Sequence, residues 1–103
     1  MDFSASDSAS LATRTLAFFE TLLATLPARS VSDRTCFRRL AEWLRDEIRA
    51  GRLDDEIFAQ VLLYAREASV GRARNPNAVF MSILRKEIGY DPVTARQRRP
   101  AAR

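Results

Sequence analysis

Apolar residues recur every three or four positions in four separate runs of this chain, and the gaps between the runs fall at Pro27, Gly51 and Gly71. That spacing lays a hydrophobic stripe along one side of a helix, and it conflicts with the two-residue alternation of a half-buried strand. With three Gly and four Pro in 103 residues, the chain has few places to turn. A handful of helices satisfies that scarcity; many short strands would not. The expected fold is all-α: a small bundle of about four helices forming one domain over residues 1–90, with 1–9 flexible and 91–103 a disordered basic tail.

Local chemistry sets the expected boundaries. The first helix opens at Ser8 or Ser10 and runs to Leu26, where Pro27 stops it. Its apolar face is broad: Leu11, Leu16, Phe18, Phe19, Leu22, Leu23 and Leu26. A helix this apolar must lie against others or against a partner. The second spans Arg34 to Ala50 behind a Ser32 or Asp33 cap, with Gly51 placed to take positive φ. The third covers Asp55 to Ser69, capped by Asp54, with Asp55 and Glu56 complementing the helix dipole. The short link between these two predicts that they pack as neighbours. Asn75-Pro76 is the clearest start signal, a cap residue followed by Pro at the first helical position, and Gly89 ends the fourth helix. Phe37, Leu40, Leu44, Val61, Phe80 and Leu84 are the expected core.

Much chemistry is excluded by composition. Without His there is no imidazole base, no His metal ligand and no Cys–His pair. Cys36 falls within an apolar helical pattern and reads as a small buried hydrophobe, with no second Cys to bridge. Glu42, Asp46 and Glu47 are interleaved with Arg, and Asp54 to Glu56 stand where a helix start calls for acids. Tyr64 reads as a partly buried helix residue. No phosphate-cradling Gly-rich loop occurs. The expectation is therefore no enzyme, no catalytic residue, no metal and no cofactor. Met1 to Ser10 lacks the charged start and apolar run of a signal peptide, and no apolar run could span a bilayer. A cytoplasmic protein that binds neither membrane nor small-molecule substrate is expected.

Charge is the remaining guide. Residues 1–70 hold nine Arg against eleven Asp and Glu, net −2; residues 71–103 hold seven Arg and Lys86 against Glu87 and Asp91, net +6. Lysine appears once among seventeen basic residues, a bias that a GC-rich genome would also produce. The asymmetry predicts an acidic partner, DNA or RNA, met at Arg72, Arg74, Asn75, Arg85, Lys86, Arg96, Arg98 and Arg99. Backbone N–H groups at the start of the fourth helix would join the basic loop around a phosphate. A helix-turn-helix made of the second and third helices would put Asp54, Asp55 and Glu56 against phosphates, which disfavours it. The alternative is an assembly subunit, a partner protein or a second copy binding at Phe18, Phe19, Leu22 and Leu23. Residues Arg74 to Gly89, a basic residue, Asn-Pro and then an amphipathic helix ending in Arg-Lys-Glu, resemble helices of bacterial, plasmid and phage replication proteins and helicase loaders. That resemblance implies a replication role.

Overall fold

Each helix starts and stops where the chain supplies the means to do so. The computed structural model describes residues 3–71 and 74–92, with side chains from Ser10 onward. It contains α1 (Phe3–Thr25), α2 (Val31–Arg49), α3 (Ile57–Val70) and α4 (Pro76–Ile88), and no strand among the described residues. The all-α bundle expected from the periodicity is what the chain forms.

Three helix starts differ from expectation, those of α2 and α3 for a local reason. α1 begins at Phe3, ahead of Ser8 and Ser10. α2 begins at Val31, because the side chain of Ser30 accepts the Asp33 N–H at 3.1 Å and so caps the helix earlier than Ser32 or Asp33 would. α3 begins at Ile57 rather than Asp55. The Asp54 carboxylate accepts the Glu56 N–H at 3.0 Å and the Asp54 carbonyl accepts the Ile57 N–H at 3.1 Å, so the acids form a lead-in turn outside the helix. At α4 the expectation holds: Asn75 caps the Ala78 N–H at 3.2 Å and Pro76 follows.

Glycines close α2 and α4. Gly51 takes φ of 80°, and its N–H bonds the Ile48 carbonyl (3.0 Å) while Arg52 N–H bonds the Glu47 carbonyl (2.9 Å). This is a Schellman ending, which needs the left-handed conformation that glycine adopts at least cost. Gly89 takes φ of 70°, turning the Tyr90 N–H back to the Leu84 carbonyl at 3.2 Å.

The helices pack as two hairpins, α1 with α2 and α3 with α4, laid on one another so that α1 also meets α3. α2 and α3 touch little, contrary to the neighbour pairing expected from their short link. The reason is the width of the apolar face of α1, which serves both of them. α2 meets α4 through long side chains: Asp33 to Asn77, Cys36 to Met81, and Phe37 edge-on to Phe80 with centroids 6.0 Å apart. From Asp33–Asn77 to Cys36–Met81 and Phe37–Phe80 the contacts advance by about one turn on both helices, so α2 and α4 run in the same direction.

The core joins Leu11, Phe18, Leu22 and Leu26 of α1 and its end to Phe37, Leu40, Ala41 and Leu44 of α2, Phe58, Val61, Ala65 and Ala68 of α3, and Phe80 and Leu84 of α4. All six residues expected in the core are buried there. Buried Thr15 satisfies its hydroxyl by donating to the Leu11 carbonyl at 2.7 Å. Leu16, expected on the apolar face, is 57% exposed, because it lies about 100° round the helix from Thr15 and beyond its neighbours' reach. Tyr90, expected at the margin of the tail, is buried with its ring 4.9 Å from Trp43. Asp91 and Pro92 are half-buried; the rest of the expected tail, 93–103, lies outside the described residues.

Candidate nucleic-acid interface

The hairpin arrangement brings together two loops that are far apart in sequence. The α1–α2 loop and the α3–α4 loop both lie at the closed end of the hairpins. Asp33 joins them. Its Oδ2 accepts the Arg29 N–H at 3.0 Å within its own loop and the Asn77 Nδ2 at 2.8 Å across at the start of α4. Arg29 Nη1 also donates to the Arg74 carbonyl at 3.5 Å.

The outcome is a cluster of cations. Arg29, Arg34 and Arg74 are all exposed at this end. Arg34 lies over the Phe19 ring at 5.6 Å, which leaves its charge at the surface and braces its stem. Asp33 lies among them with its carboxylate engaged in the two hydrogen bonds just described, and Glu67 is exposed nearby in the last turn of α3. At the opposite end several charges are paired. Arg14 pairs with Asp55, Arg52 grips Glu47 with two bonds of 2.8 and 2.9 Å, and Arg45 pairs with Asp46 at 3.0 Å. Asp54, Asp55 and Glu56 are exposed there. The closed end thus gathers cations from two loops, while the other end mixes these pairs with exposed Arg49, Arg85 and Lys86 and with the exposed acids.

The residues expected from sequence fall in different places. Arg74 and Asn75 are at the cationic end. Arg72, Arg96, Arg98 and Arg99 lie outside the described residues. Arg85 and Lys86 are exposed but belong to the last turn of α4, about 15 Å along the helix from Asn75. They cannot share one phosphate with Arg74. Nor does the start of α4 offer a free set of donors. Pro76 has no N–H, and the Asn75 side chain occupies that of Ala78. Asn75 is a cap before it is a contact.

Of the residues expected to meet a protein partner, Phe18 and Leu22 are consumed by the chain's own core, and Phe19 and Leu23 are half-buried against it. Among the described residues the exposed large apolar side chains are elsewhere: Leu16, Val31, Leu63 and Val70. Arg29 and Arg34 were invisible in the charge count because they belong to a stretch that is net negative. The available signal was parity: in successive up-and-down helices the first and third loops share an end.

Among the described residues no group of three or more carboxylate, thiol or imidazole side chains could hold a metal ion. Cys36 is half-buried with its sulfur 3.9 Å from that of Met81. Burial, together with the nearby Asp33 carboxylate, pushes its thiol pKa up, and Arg39 opposes them. Such a thiol is protonated and poorly nucleophilic. No helix is long and apolar enough to cross a membrane. No protein-family model, characterised protein or solved structure matches the chain.

Proposed function

We propose that the chain is a non-catalytic module that binds nucleic acid through phosphate contacts at the closed end of its hairpins. The observation that carries this is the meeting of the two loops, which brings Arg29 onto Arg74 and gathers them with Arg34 at one end, where the Asp33 carboxylate is already hydrogen-bonded. Arg72 adjoins Arg74 in sequence, and Arg85 and Lys86 extend the contact along α4. Binding of this kind is electrostatic, weakly sequence-specific and steeply dependent on salt. A cytoplasmic setting in bacterial replication, as the likeness of Arg74 to Gly89 implies, suits it.

The test compares Arg29→Ala with Arg74→Ala together against Arg49→Ala, an exposed cation at the other end of α2. The loop pair should weaken binding to labelled DNA and flatten its salt dependence by about two units, one per lost contact. Arg49→Ala should change neither. Equal effects would mean that the whole surface, rather than this end, attracts the nucleic acid.

A second reading is favoured by α3. Its outer face exposes Ala59, Leu63 and Val70 with exposed Arg66 among them, so this helix carries apolar side chains on both sides. In that reading the chain is an assembly subunit, and α3 replaces α1 as the surface that meets the partner. Its mass in solution would then exceed that of one chain, and Leu63→Glu would restore the monomer.

A further inference from the structure

Building on the nucleic-acid reading, we infer that α4 is a groove-reading helix, which enters the major groove of duplex DNA with the face formed by Ala78, Ser82, Arg85 and Lys86. These residues recur at three- and four-residue intervals and all four are exposed, so they make one outward stripe. The opposite side of α4 is fixed in the core by Phe80 and Leu84, and both ends are capped, so the helix is a rigid element on the surface. The middle of the stripe carries only Ala78 and Ser82. Side chains this short let the helix axis approach a partner closely. Cations stand at either end, Arg74 before the first turn and Arg85 with Lys86 in the last. That pattern matches a groove: a narrow rod at the centre, with phosphate ridges reached from its ends. Exposed Glu87 is about 100° further round the helix than Lys86 and leaves the stripe itself without an acid.

The chemistry of the stripe selects duplex DNA over other partners. Single strands are held by bases stacked on exposed aromatic rings, and no aromatic side chain among the described residues is exposed. Protein interfaces are anchored by large apolar or aromatic side chains, and the exposed ones here lie off α4. Duplex RNA has a major groove too deep and narrow for a helix.

Ser82→Glu tests this assignment, with Ser82→Ala as the size-matched control, in anisotropy titrations of the full chain with a mixed-sequence DNA duplex. Ser82→Glu should fold with an unchanged helical spectrum and bind about tenfold or more weakly, because a carboxylate is forced against phosphates and base-edge acceptors. Ser82→Ala should bind like the original chain. Methyl green, which occupies the major groove, should displace the protein, whereas the minor-groove ligand netropsin should not. Undiminished binding by Ser82→Glu, displacement by netropsin alone, or preference for single strands would overturn the assignment. If Arg29→Ala with Arg74→Ala loses affinity while Ser82→Glu does not, phosphate binding stands and only the groove is wrong. If the original chain binds no DNA at all, both fail.

Discussion

Phe80 meets Phe37 edge to face at the seam between α4 and α2, and both rings are almost wholly removed from solvent. Truncating such a ring loses its burial and leaves a cavity that the surrounding helices fill only in part. Phe80→Ala should therefore cost about 3–5 kcal/mol in denaturant melts. A loss below about 1 kcal/mol would mean that the two hairpins are not joined through this ring. Next to Phe37 in the same seam, Cys36 offers a chemical probe of this junction. Its thiol pKa is raised by burial and by Asp33. The folded state therefore favours the protonated thiol. The resulting contribution to stability is complete below the ordinary thiol range and is lost as pH rises through the raised value. At pH 8 the folded chain should react with a thiol reagent much more slowly than the urea-unfolded chain. Equal rates would place Cys36 in the open.

At the scale of elements, the caps decide where each helix ends. Gly89 lies in the left-handed region with open space where a Cβ would stand, so Gly89→Ala isolates backbone strain from crowding. It should destabilise by about 1–2 kcal/mol. Asn75→Ala should cost about 1 kcal/mol through the lost cap. Both are read by thermal melts, and no change at Gly89 would mean that the turn into Tyr90 can rearrange freely. The sequence made these two positions legible because cap chemistry is local: Asn-Pro and a terminal glycine carry their meaning within four residues. The start of α2 was harder. Ser30 and Ser32 are equally good caps in isolation, and the choice falls to Ser30 because Asp33 is then placed to reach both Arg29 and Asn77. That second partner is forty-four residues away, beyond any local signal.

For the whole molecule, which residues are buried was readable from periodicity, but which helix faces which was not. The apolar stripes of α2 and α3 predict that both are covered without saying by what, and α1 takes the place beside each. The cationic end shows the same limit. Arg72 and Arg74 stand out in a basic stretch, whereas Arg29 and Arg34 join them only through the hairpin topology. Tyr90 is a further case: a single aromatic past the last glycine has no periodicity, yet it closes over Trp43. Ending the chain at Gly89 should accordingly lower the melting temperature clearly, while ending it at Pro92 should leave it nearly unchanged. Equal melting temperatures would remove Tyr90 from the fold's essential contacts.

The central claim is that one end of this bundle binds nucleic-acid phosphates, and the salt dependence of affinity for duplex DNA tests it most directly. With Arg29, Arg34 and Arg74 as the minimum set of contacts, the logarithm of the binding constant should fall with the logarithm of salt concentration at a slope of about −3 or steeper. Replacing Arg29 and Arg74 by alanine should flatten that slope by about two units. Absence of binding at low salt, or a slope that the two substitutions leave untouched, would contradict the account.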